Sequence, residues 1–243
     1  MTTVLVTGGA RGVGLGIVRG FLDAGHDVVT CSRHEPTADL GEAEFIRADV
    51  RDLSQVDALV SAVINRYGTL DVVVNNAGGA PPVDAATASP RLHAKIIELN
   101  LVAPLHVSQR ANTVMQQQET GGVIIMIGSV SGTRPSPGTA AYGAAKAGLA
   151  NLATSLAVEW APKVRVNTVV VGPVDTERSE LHYGDAVPAV GATIPLGRMA
   201  VPADVAQACL WLASPGAAYV SGSTVTVHGG GERPAFLEAV ERS

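Results

Sequence analysis

The chain has 243 residues, 47% of them hydrophobic and 16% charged, with a formal net charge of −5. That hydrophobicity excludes a disordered polymer, and the lack of a basic surplus argues against a nucleic-acid partner. Cys31 and Cys209 make neither a disulfide framework nor a CxxC pair, and the six histidines show no HxxxH spacing, so no metal is expected.

Short β-branched runs alternate with longer helical patterns. Val4 to Thr7 reads as a buried strand, and Gly12 to Ala24 then places Val13, Ile17, Val18, Phe21 and Leu22 at helical spacing. Asp27 to Thr30 and Phe45 to Ala48 are the next strands. A helix follows from about Leu53 to Tyr67, with Val56, Leu59, Val60 and Val63 inward. Leu70 to Val74 is a strand stopping at Asn75-Asn76. One helix is predicted over about Arg91 to Gln117, then the strand Val123 to Ile127, a long helix Ala140 to Trp160, and the strand Val164 to Val171. A loop with a short helix at about Glu177 to Tyr183 leads to a helix from Ala203 to Ala213 and a last strand Val225 to Val227.

Strand–helix alternation with continuous apolar strands predicts an α/β fold: a doubly wound, Rossmann-like parallel sheet of about seven strands, covered on both faces. Residues 1–243 read as a single domain, with a mobile substrate lid at about 177–193. Ligands in such folds sit beyond the carboxyl ends of the strands. The charge-free stretch from Val205 to Gly231 is broken by Pro215, Gly216, Ser221 and Gly222, so it reads as helix, turn and strand, not as a membrane span. The start, Met1-Thr2-Thr3-Val4, lacks the positive flank of a signal peptide, and a reducing cytoplasm is expected.

Three features carry chemistry. The first strand runs into Thr7-Gly8-Gly9-Ala10-Arg11-Gly12-Val13-Gly14, a TGxxxGxG turn before a helix. Glycines there let backbone amides approach a pyrophosphate at the helix N-terminus. The strict GxGxxG spacing is absent, because Gly16 falls in the wrong place. Ser32-Arg33-His34 follows the second strand, where an acid would bind a free ribose 2′-hydroxyl and an arginine accommodates a 2′-phosphate. Arg33, with Arg11 as a second cation, therefore favours NADP(H) over NAD(H). Tyr142 and Lys146 lie four apart on one helix face, and a cation beside a phenol favours the phenolate, making a plausible general acid/base. Ser129, thirteen residues earlier, could hold a carbonyl oxygen, with Ser131 as a competitor.

In their order and spacing these residues resemble the short-chain dehydrogenase/reductase family, in its single-domain branch of about 250 residues. The resemblance covers nearly the whole chain and includes Asp49-Val50, Asn75 to Gly78, Asn100, Asn167 through Thr176 and Pro195 to Arg198. It implies that Tyr142 passes a proton to or from the substrate oxygen, that Lys146 lowers the Tyr142 pKa and holds the nicotinamide ribose, and that Ser129 orients the carbonyl. It further implies that Asn100 holds a relay water and that Asp49 and Val50 contact the adenine. Asn76, Ala77 and Gly78 would line the cofactor cleft, and Gly172, Val174 and Thr176 would close over the nicotinamide.

The expected activity is NAD(P)(H)-dependent interconversion of a small secondary alcohol and ketone. Alternatives are a 3-oxoacyl-carrier-protein reductase-like enzyme and a catalytically silent dinucleotide-binding sensor. The first is disfavoured because residues 113–119 and 155–160 carry no basic patch, and the second because the Ser/Tyr/Lys set is intact. A homodimer or homotetramer is expected from the small residues Ala141, Ala144, Ala145, Ala147, Gly148 and Ala150, and from the resemblance. One place departs from the family pattern: Pro173 follows Gly172, where relatives commonly have Pro-Gly.

Overall fold

The computed structural model describes residues 2–232, with the backbone alone for Leu181 and His182. Seven parallel strands form one sheet in the order β3-β2-β1-β4-β5-β6-β7. They are β1 (Thr3–Thr7), β2 (Asp27–Ser32), β3 (Glu44–Arg47), β4 (Val72–Asn75), β5 (Gly122–Ile127), β6 (Val164–Val171) and β7 (Thr224–Val227). The helices are α1 (Gly12–Asp23), α2 (Leu53–Tyr67), α3 (Pro90–Ile97), α4 (Ala103–Met115), α5 (Ala140–Glu159), α6 (Ser179–Tyr183), α7 (Val187–Ala192) and α8 (Pro202–Ala213).

The period-2 geometry of strands splits the apolar residues between two layers. Leu5, Val73, Ile124 and Met126 face one core, with Leu59 and Val63 of α2, Met115 of α4 and Leu149 of α5. Their neighbours Val4, Val6, Val72, Val74 and Ile125 face the other, with Ile17 and Phe21 of α1 and Val205 and Leu212 of α8. Every central strand is therefore apolar on both faces, and this is why the sequence shows continuous rather than alternating hydrophobic runs.

Local chemistry sets the helix ends. Asp52 caps α2 by accepting from the amides of Ser54 and Gln55, and Gly68 closes it at φ 78°. Gly16 and Gly20 share one face of α1. A Cβ on Gly16 would lie 2.2 Å from Pro202, and one on Gly20 would lie 2.8 Å from the Ala206 methyl. The glycine that spoils the GxGxxG spacing is thus a packing residue that lets α1 lie against α8.

The structure differs from expectation in three places. The single helix predicted over 91–117 is α3 and α4 joined by a wide π-helical turn, Glu98–Val102, in which the Ala103 amide donates five residues back to Glu98 O. Pro104 has no N–H to return to Asn100 O, so α-helical pairing fails at this point. Strand β4 begins at Val72 rather than Leu70, because the Leu70 amide and carbonyl are both bound by the Gln118 side chain, at 2.8 and 3.1 Å. The segment expected as a loop after Tyr183 contains a second short helix, α7.

Candidate active site

The strand order reverses between β1 and β4, and a crevice opens at their carboxyl ends. The Gly-rich turn after β1 is held there from below. Thr7 Oγ1 accepts the amides of Asn76 and Ala77 at 3.1 and 3.0 Å, and Asn76 Nδ2 donates to the carbonyls of Thr7 and Gly8 at 3.0 and 3.1 Å. Both side chains, expected on the cofactor, are engaged in tying the β1 turn to the β4 turn.

The glycines of the turn divide by role. A Cβ on Gly14 would lie 2.4 Å from both Asn76 Nδ2 and Gly8 O, and one on Gly9 would lie 2.2 Å from Thr30 Oγ1. Gly8 and Gly12 adopt φ 69° and 54°. Gly12 alone of these four looks onto open space, with Thr176 and Glu177 no nearer than 3.9 Å to its missing Cβ. The first turn of α1 has no side-chain cap on its amides and no acidic residue. An uncapped helix start beneath a cradle of this kind fits a dinucleotide pyrophosphate. Gly12, Thr176 and Glu177 also line a cavity of about 360 Å³ with Leu15, Gly16, Arg19, Asp175 and Pro202.

At the adenosine end the side chains sort themselves by charge. Arg51 grips Asp49 with two nitrogens, at 3.0 and 2.6 Å, and this ion pair, with a contribution from Arg33, holds the Asp49 carboxyl below the usual range. Val50 packs into the core that α2 covers. Ser32 Oγ donates to His34 O. Arg11 and Arg33 are exposed, and neither forms an ion pair among the described residues. A third arginine, Arg47, went unnoticed in the sequence. It ends β3 opposite Ser32 and donates from Nε to Arg33 O at 3.1 Å.

The chemical centre lies beyond β5. Ser129 lies beside the Tyr142 phenol, and its Oγ accepts the Ser131 amide at 3.2 Å. Ser131 instead lines a groove on the far flank of α5 with Ala140, Ala144 and Ala147, and this separates the two candidate serines. Lys146 is buried on the same face of α5 as Tyr142, with Nζ 5.6 Å from the phenol ring centroid and donating to Ile127 O at 2.7 Å. Burial pushes Lys146 down to about 8. Burial also pushes the Tyr142 phenol above its ordinary value, against the opposing pull of the Ser129 hydrogen bond. Loss of solvent is the larger of these two influences on the phenol.

Asn100 sits in the π-helical turn, wholly buried. Its Oδ1 accepts the Gly79 amide at 2.8 Å, and its Nδ2 donates to Gly79 O and Ile96 O, both at 2.9 Å. The side chain thus pins the loop after β4. A Cβ on Gly78 would lie 2.7 Å from Asn100 Oδ1 and 3.3 Å from Lys146 Nζ, so the bare glycine keeps open the space between them. On the other wall, Gly172 backs onto His228, 2.8 Å from its missing Cβ, and the Asp175 and Ala200 amides lock residues 173–175 to Ala200 and Pro173. Thr176 follows, its amide donating to Ser179 Oγ at 2.8 Å. Val174 is paired with Ala200 in a short parallel bridge.

Comparison with known proteins agrees with this architecture. A family model described as enoyl-(acyl carrier protein) reductase matches residues 8–232. The 3alpha-hydroxysteroid dehydrogenase of Mediterraneibacter gnavus is 33% identical, over 93% of this chain and 94% of that protein. The 3-oxoacyl-[acyl-carrier-protein] reductase of Vibrio cholerae is 33% identical, over 93% of this chain and 95% of that one. A solved structure of an actinorhodin polyketide ketoreductase variant with NADPH superposes with a TM-score of 0.88 at 32% identity, over 94% of this chain and 96% of that chain.

Proposed function

The chain belongs to the short-chain dehydrogenase/reductase family of oxidoreductases, and on that premise we propose that it is an NADP(H)-dependent enzyme interconverting a ketone and a secondary alcohol. The observation that carries this reading is the meeting of Ser129, Tyr142 and Lys146 beyond β5, with Lys146 Nζ 5.6 Å from the Tyr142 ring, at the end of the sheet where a dinucleotide would dock. The cofactor, when bound, supplies or accepts the hydride.

The protein's own groups move the proton. Burial keeps Tyr142 in its neutral, proton-bearing form at neutral pH, which suits donation to a carbonyl oxygen during reduction. Ser129, beside the phenol, is placed to share that oxygen. Lys146, brought to about 8, can release and regain a proton near working pH, and Gly78 leaves the room beside it that a relay water needs. Arg11 and Arg33 support a 2′-phosphate, because neither is neutralised by an acid among the described residues.

The segment 177–193, with α6 and α7, serves as the substrate lid over this rim, and the single unit assembles as a dimer or tetramer through α4 and α5. Buried Cys31 and Cys209, both pushed up to about 12, remain inert thiols and suit a cytoplasmic setting. A second reading, reduction of a 3-oxoacyl group on a carrier protein, has the Vibrio relative in its favour and the lack of basic residues at 113–119 and 155–160 against it.

The test is a panel of ketones and secondary alcohols followed by nicotinamide absorbance, with wild type and Tyr142→Phe. The variant is expected to fold and bind cofactor normally while turnover falls by about 10²–10⁴. Near-normal turnover in Tyr142→Phe removes the proposed acid/base.

A further inference from the structure

We infer that Arg47 is a specificity-determining residue for a phosphate on the adenosine ribose. This rests on the NADP(H) reading above and adds to it a residue that lies on a different strand from Arg33.

Parallel pairing sets Arg47 directly opposite Ser32, so the tips of β2 and β3 end side by side at the sheet's carboxyl edge. The Nε–H of Arg47 is bound to Arg33 O at 3.1 Å, and this fixes the guanidinium plane against the turn that carries Arg33. The terminal nitrogens of Arg47 have no partner among the described residues, and the side chain is exposed. A planar fork held by its third nitrogen and open at its two ends is the arrangement that receives a phosphate bidentately.

The surrounding charge points the same way. Arg11, Arg33 and Arg47 follow or end three adjacent strands, β1, β2 and β3. The acid of this corner, Asp49, is occupied by Arg51, whose two nitrogens bind its carboxylate. Glu44, on the same strand as Arg47, is paired with Arg66 at 2.9 Å. The corner therefore holds three arginines outside any ion pair among the described residues, in a chain whose overall charge is −5. Arg47 has two effects: it presents its own fork, and it steadies the turn that presents Arg33.

Calorimetric titration of the full-length protein with 2′,5′-ADP and with 5′-AMP separates these effects. The variants are Arg47→Gln, whose neutral amide can still donate to Arg33 O, and Arg47→Lys, which keeps the charge without the fork. Wild type is expected to bind 2′,5′-ADP more tightly than 5′-AMP. Arg47→Gln should weaken 2′,5′-ADP about tenfold and leave 5′-AMP within about twofold, with Arg47→Lys between the two. An Arg47→Gln protein that keeps the wild-type ratio, or that loses both ligands equally, overturns the inference and leaves the NADP(H) reading standing. A wild type that does not distinguish the two ligands overturns the NADP(H) reading and this inference with it.

Discussion

Lys146 offers a measurement of the site's electrostatics that needs neither substrate nor cofactor. Burial lowers its ammonium from 10.5 to about 8, although Nζ keeps one short hydrogen bond, to Ile127 O at 2.7 Å. Below pH 8 the folded protein holds a charge that the unfolded chain would hold more cheaply in water, and the penalty is present in full. Between about pH 8 and 10.5 the folded lysine is neutral while the unfolded one still binds a proton, so stability rises with pH across that window. The fall from 10.5 to about 8 corresponds to about 3 kcal/mol. Lys146→Met keeps a stem of similar size and has nothing to titrate. Urea unfolding of wild type and Lys146→Met, from pH 7 to 10.5, should show the difference between them moving by about 3 kcal/mol in favour of wild type as pH rises. Other titrating groups cancel in that difference. A flat difference curve, or one that moves toward the variant, would show that Lys146 is not held against its charge, and the argument for a proton-exchanging lysine would fail.

Two further substitutions probe the scaffold behind the site. Gly78→Ala places a methyl group 2.7 Å from Asn100 Oδ1 and 3.3 Å from Lys146 Nζ, and should cost about 1–3 kcal/mol in urea unfolding together with a fall in kcat. An unchanged kcat would mean that the space between those two side chains plays no part in turnover. Ser108 links β4 to the first turn of α4: it accepts from Asn75 Nδ2 at 2.9 Å and donates to Pro104 O at 2.7 Å, all in the core. Ser108→Ala leaves both partners short of a bond and should destabilise by about 1–3 kcal/mol; equilibrium unfolding with no measurable loss would show that the link is not needed.

Periodicity made most of the fold legible. The apolar runs at Val4, Val72 and Ile124 are unbroken because neighbouring residues feed opposite cores, and the helices between them show their inward faces plainly. The π-helical turn escaped because Glu98 to Val102 continues the helical pattern, and its cause is backbone pairing denied by Pro104. Tyr142, Lys146 and Ser129 were readable from spacing, since an i, i+4 pair on a helix fixes its own geometry. The environment of that pair was not readable: how far burial strips solvent from the phenol and the ammonium depends on packing from several strands at once. Arg47 escaped for a related reason. Nothing near it in sequence marks it, and only the β2–β3 register brings it to Arg33. Thr7 and Asn76 were expected against the cofactor from their motifs, and the hydrogen bonds that engage them escape sequence reading because they join chain positions 69 and 68 residues apart.

The sheet order has a bearing on synthesis. Strand β1 lies between β2 and β4, yet β4 ends at Asn75, after β2, β3 and α2 have all been made. A nascent chain on the ribosome can zip β1 to β2 and β2 to β3 early, but the opposite edge of β1, along Val4, Leu5 and Val6, stays unpaired until residues 72–75 clear the exit tunnel. Open strand edges of this kind, with their unpaired N–H and C=O groups, attract stray strands. The crossing that opens the crevice is thus also the step at which a half-made molecule is most exposed to misassembly.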